Sequence, residues 1–121
     1  MSYESAVTVD SAERVGVSYR VARMSFGRRV ELMRKVRELA KRMEFLEARQ
    51  SPGERMDSGL LRAEIDRMYL LWGLTGVSGL RVDGMEATPE VLVERGPEEL
   101  FREALAAVRR ETGLTDDERK N

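Results

Sequence analysis

The 121-residue sequence has no cysteine and no histidine. Without cysteine there is no disulfide framework and no thiolate chemistry. Without histidine the commonest general base and the commonest metal ligand are missing. Together the two absences exclude the usual zinc sites. A carboxylate-only site remains conceivable, but no spacing of acids proposes one. "RVDGME" (residues 81–86) lacks the alternating acids of a calcium loop, and the adjacent Glu98 and Glu99 point to different faces of a helix. No catalytic, cofactor-binding or metal-binding residue is assigned, and a non-enzymatic protein is expected. No apolar run approaches the roughly 20 residues of a spanning helix. The opening "MSYESAVTVD" has no basic stretch followed by an apolar block, as a secretory signal would. A cytoplasmic protein away from membranes is expected.

What is present is charge, at 36% of residues, beside 41% apolar residues. That is too apolar for a disordered chain, and one domain with a modest core fits this length. The net charge is only −1, but it is unevenly spread. Residues 14–49 carry eleven Lys or Arg and four Glu, whereas residues 83–103 carry seven acids and two Arg. Such asymmetry marks either a charged interaction surface or two halves that satisfy each other.

The hydrophobic pattern predicts an α+β, mainly α, single domain. "AVTVD" (residues 6–10) and "VGVSYRVARM" (residues 15–24) alternate, with Val15, Val17, Tyr19 and Val21 on one face, and read as a β-hairpin over residues 6–24. Ser25 then caps a long helix. Leu32, Val36, Leu39, Met43 and Leu46 recur at helical spacing, widened by Met33 and Ala40. "QSPGE" (residues 50–54) breaks it. A second helix is predicted from Met56 or Asp57 to Leu71 or Trp72, with Leu61, Ile65, Met68 and Trp72 on its face. The pair forms a long antiparallel αα-hairpin over residues 26–72. Its seam is expected to be the main support of the fold, at roughly 1.5–3 kcal/mol per fully buried Leu or Met.

Residues 73–87 read as a Gly-rich connector, with a short extended piece at Leu80-Arg81-Val82 and a turn at Asp83-Gly84. Glycines 73, 76 and 79 match neither a dinucleotide-binding nor a P-loop pattern. "GLTG" (residues 73–76) lacks the charged centre and the setting of an RNA-clamping loop. Residues 88–113 then form a short, bent helical pair. Thr88 caps the first helix, with Pro89 at its first position. Gly96 ends that helix, Pro97 opens the next, and Leu100, Ala104, Leu105 and Val108 give the second an apolar face. The corner is expected to wrap the αα-hairpin. Residues 114–121 form a polar tail, in which Thr115 and Glu118 make a capping box.

The basic face of the first helix includes Arg28, Arg29, Arg34, Lys35, Arg37, Lys41 and Arg42. Phosphate contacts would suit it, but interspersed acids and a pI near 5.7 argue against nucleic acid. Glu31–Lys35 and Glu38–Arg42 stand at i,i+4, the favourable order for surface pairs. A solvated, salt-bridged helix face or a docking face for an acidic partner is preferred. The candidate docking residues are the adaptable Met33, Met43 and Met68, the aromatics Tyr69 and Trp72, and the cations Arg34 and Lys41. For Tyr69 and Trp72 core filling is the favoured reading, and they are the first choice of anchors if the domain docks onto another protein.

The C-terminal half resembles small proteins of phage and prophage tail gene clusters, including the tail assembly chaperone group. "LLWGLTGVSGLRVDG" (residues 70–84) and "ATPEVLVERGPEELFREALAAVRRETGLTDDERKN" (residues 87–121) carry the likeness; "SFGRRVELMRKVRELAKRMEFLEA" (residues 25–48) is compatible with it. The resemblance implies a cofactor-free chaperone or adaptor in the host cytoplasm that binds tape-measure or tail-tube protein. Homo-oligomers are a further option for partners. The alternatives are a structural tail or connector component of the virion and a nucleic-acid-binding regulator. The polar tail reads either as a frayed terminus or, as in some tail chaperones, as the point where ribosomal frameshifting yields a longer form. The codons for Lys120-Asn121 decide between them.

Overall fold

A computed structural model describes residues 1–49 and 52–113. It has four helices and a small antiparallel sheet, the α+β, mainly α class that the pattern predicts. The chain divides into two compact units, residues 1–24 with 69–121 and residues 25–68.

The first unit is built on a three-stranded antiparallel sheet. Strands β1 (Ala6–Asp10) and β2 (Ser18–Ala22) form the expected hairpin, in register from Ala6 opposite Ala22 to Asp10 opposite Ser18. Alternation puts Val17, Tyr19 and Val21 on the buried face. Val15 does not join them, because the strand starts only at Ser18 and Val15 stands in the exposed turn. A lone hairpin is marginal in water. Here the second edge of β2 is taken by β3 (Leu74–Ser78), within the segment expected to be a connector. Between Arg20–Gly76 and Val21–Leu74 the register shifts by one residue, leaving Thr75 as a bulge. The Thr75 hydroxyl donates to the Arg20 carbonyl at 3.1 Å, tying the bulge back to β2.

Strands β4 (Arg81–Val82) and β5 (Met85–Glu86) make a second, minimal hairpin. Its turn residues Asp83 (φ 53°) and Gly84 (φ 80°) both have positive φ, the backbone of a primed turn that matches strand twist. Helix α3 (Pro89–Arg95) begins as the sequence predicts: the Thr88 hydroxyl accepts from the Val91 amide at 3.2 Å, and Pro89 needs no partner for a missing N–H. Gly96 ends it in an extended conformation, not a left-handed one. Glycine is needed there for closeness, since a Cβ would lie 2.8 Å from the Leu92 carbonyl oxygen. Pro97 is the cap of helix α4 (Glu98–Glu111) and not its first turn.

The α3–α4 corner closes on the sheet: α4 lies against β2 and β3, and α3 against β3 and α4. Leu92 of α3 and Leu100, Ala104, Leu105, Ala107 and Val108 of α4 are buried. Among the described residues the largest fully buried side chains, Tyr19, Val21, Leu70, Leu92, Leu100 and Val108, all belong to this unit. Among the described residues the main core therefore lies under the sheet and not in the αα seam, which corrects the expectation from sequence that the seam is the main support.

The second unit is helical. Helix α1 (Phe26–Arg49) is capped by Ser25, whose hydroxyl accepts from the Arg28 amide at 3.2 Å. Helix α2 (Pro52–Gly73) starts at Pro52 and not at Met56 or Asp57 as predicted, because Pro52 occupies a first-turn position instead of breaking the helix. Its last residues, 69–73, belong to the first unit. Arg42 of α1 and Glu64 of α2 lie 3.7 Å apart. A continuous rod would separate them by about 33 Å, so the chain reverses between the two helices. Leu32 and Leu61 are buried in this unit, and Val36, Leu39, Met43, Ile65 and Met68 are half-buried. The capping box of the polar tail lies outside the described residues. Among the described residues no helix is long and apolar enough to cross a membrane.

Candidate interaction surface

Two features concentrate polar or apolar chemistry: a carboxylate knot in the first unit and an exposed stripe on α1 in the second.

In the knot, Glu103 projects from α4 into the β1–β2 turn. Its Oε1 accepts from the Ser11 hydroxyl at 2.5 Å and from the Tyr19 hydroxyl at 2.7 Å. Its Oε2 accepts from the amides of Ala12 at 2.8 Å and Glu13 at 3.2 Å. The Ser11 oxygen in turn accepts from the amides of Glu13 and Arg14, and Arg14 pairs with Glu99 one turn earlier on α4. Burial pulls the Glu103 carboxyl up, but the bonds from Ser11, Tyr19, Ala12 and Glu13 outweigh it and hold it below the ordinary glutamate range. Burial, then the bond to Glu103, pushes the Tyr19 hydroxyl well above the ordinary tyrosine value. Every acceptor position of Glu103 is engaged by the fold itself. The knot is a clasp between turn and helix, with no acid–base partner left over.

The α1 surface has the opposite character. At about 100° per residue, Leu32, Val36, Leu39 and Met43 form one apolar stripe. A second stripe, Phe26, Val30 and Met33, lies about a third of a turn round from it. These side chains are 86%, 37% and 64% exposed. Arg29, Arg34, Arg37 and Lys41 border or continue the second stripe and are exposed. None of the four has an ion pair with a described residue. The acids of this stretch, Glu31 and Glu38, lie on a third face. Glu31 faces Arg28 at 3.7 Å, and Arg42 reaches Glu64, so neither i,i+4 pair expected from sequence forms.

The predicted interaction residues are thus divided. Met33, Arg34 and Lys41 lie on the exposed side of α1, while Met43 and Met68 are half-buried in the same unit. Tyr69 and Trp72 belong to the other unit. Trp72 is only 7% exposed, which makes it core. Tyr69 is half-buried, with the Arg109 guanidinium 5.0 Å from its ring centroid. Sequence reasoning missed Phe26 and Val30. Their spacing to Met33, four then three, was the available signal. Among the described residues no group of three or more acidic side chains is placed to hold a metal ion. Comparison with family models, with curated proteins and with solved structures gives no match.

Proposed function

We propose that the protein is a non-enzymatic assembly chaperone or adaptor of the phage-tail type, which binds a helical tail protein in the host cytoplasm. The observation that carries this reading is the second stripe of α1. Phe26, Val30 and Met33 leave an exposed apolar line along α1, and an amphipathic helix of a partner lays its apolar face on such a line. The resemblance of residues 70–84 and 87–121 to tail-cluster proteins supplies the class of partner.

Co-expression tests the proposal. The tape-measure protein encoded in the same gene cluster, insoluble when produced alone, is expected to stay in solution and co-purify with this chain. Finished particles are expected to lack the chain. An unchanged insoluble fraction would overturn the reading, and recovery of the chain from purified virions would make it a structural component instead.

A further inference from the structure

We propose that the exposed face of α1 docks an acidic amphipathic helix of another protein, paired along the line Phe26, Val30, Met33 and Arg37. The inference rests on the reading of the chain as an interaction module and supplies the chemistry of its partner.

The spacing sets a heptad frame. Phe26 and Met33 take d positions, and Val30 and Arg37 take a positions. In that frame Arg29 falls at g, and Arg34 and Lys41 fall at e. These are the positions that flank a helix–helix seam and choose the partner by charge. The seam is about 17 Å long, three turns of helix. No acid occupies an a, d, e or g position between Phe26 and Lys41. The acids of that stretch are held on the third face, where Glu31 faces Arg28. The four cations of the seam make no ion pair among the described residues.

Charge decides between occupants. A second copy of this chain would set Arg29 against Arg34 in a parallel pair, and like cations against each other in an antiparallel one, with Arg37 facing the seam in both. Like charges so placed oppose association. A helix carrying Glu at its flanking positions would neutralise all four cations while covering the apolar line. Nucleic acid would engage the cations but give Phe26, Val30 and Met33 nothing to do. A lipid surface would have to take the Arg37 guanidinium along the apolar line, whereas a facing helix offers it a carboxylate.

The probe is a labelled three-heptad peptide with Leu at a and d and Glu at e and g, whose own charge keeps it monomeric. Its binding to the full chain is read by fluorescence anisotropy. Tight binding is expected, with a Lys-flanked version weaker by roughly tenfold or more. Arg29→Glu with Arg34→Glu is expected to reverse that preference, and Phe26→Ser with Met33→Ser to abolish binding of both peptides. All four side chains are exposed, and an unchanged thermal midpoint verifies that the variants fold. Equal binding of the two peptides, binding that survives Phe26→Ser with Met33→Ser, or no binding by the wild type would each overturn the proposal. So would a blank peptide arm beside salt-sensitive capture of duplex DNA or of phosphatidylserine vesicles, which assigns the cations to phosphate. Failure of tail proteins to co-purify would leave the peptide result standing, and a blank peptide arm would leave the co-purification standing.

Discussion

Glu103 joins distant parts of the chain through one side chain. Its four accepted hydrogen bonds come from residues 84 to 92 positions away. Glu103→Gln keeps the shape but presents an NH2 group to donors that need an acceptor. The expected cost at neutral pH is about 1–2 kcal/mol, the order of a lost charge-assisted bond beside a stranded donor. Solvent screening at this half-buried site keeps it from being larger. The effect depends on pH with a definite sign. Folding lowers the pKa of this carboxyl, so its contribution is complete above the ordinary glutamate range. It declines as the pH falls through that range toward the lower folded value. Urea midpoints of wild type and Glu103→Gln are therefore expected to be well separated at pH 7 and to converge toward pH 3. A gap that stays constant or widens in acid would show that the clasp does not act through the ionised carboxylate. This knot was not legible in the sequence, because nothing in "DSAER" or in an α4 glutamate announces contact across so long a separation. Ser25 and Thr88 were legible as caps, since a cap is decided within four residues of chain.

The elements read from the sequence were those whose evidence is periodic. The β1–β2 hairpin, α1, α3 and α4 follow from spacing and punctuation, and the Asp83-Gly84 turn follows from residue type. Strand β3 was hidden because "LTGVS" includes a glycine and stands among three others, and glycines argue for loop. What makes it a strand is the open edge of β2, a tertiary fact. The glycines near this sheet also serve different ends, and a pair of substitutions separates them. Gly79 and Gly84 share φ of +80°. A Cβ at Gly84 would meet open space, whereas one at Gly79 would lie within 1.9 Å of the Gly16 carbonyl oxygen. Gly84→Ala is expected to cost about 1–2 kcal/mol, the strain of a left-handed residue alone. Gly79→Ala adds a backbone collision between the β3–β4 connection and the β1–β2 turn. It is expected to cost clearly more, by about a further 1–3 kcal/mol. Equal losses in chemical denaturation would mean that the turn yields freely and that the approach of the two segments is unimportant.

At the scale of the molecule, the helical arm is an insertion into a sheet. Strands β2 and β3 are antiparallel neighbours, yet residues 25–68 stand between them in the chain and form a unit of their own. The length and regularity of α1 and α2 drew the sequence reading toward the arm as the centre of the fold. Periodicity measures how well a helix is written, not where the largest side chains end up buried. Nor does periodicity show which of α1's apolar stripes is covered, so Phe26 and Val30 are not legible as seam residues, whereas Trp72 is legible as core, the reading favoured for it from the sequence. Because the fully buried side chains Tyr19, Val21, Leu70, Leu92, Leu100 and Val108 all lie outside residues 25–68, the sheet unit is expected to fold without the arm. Replacing residues 25–68 by a Gly/Ser linker turns the β2–β3 connection into an ordinary loop closure, whose entropy changes slowly with length. The shortened chain is expected to keep one cooperative thermal transition and dispersed amide resonances. It should also retain the Glu103→Gln sensitivity of the parent, while losing all affinity for an acidic helical peptide. A shortened chain that fails to unfold cooperatively would place part of the supporting core in the arm. One that folds but still binds the peptide would move the docking face away from α1.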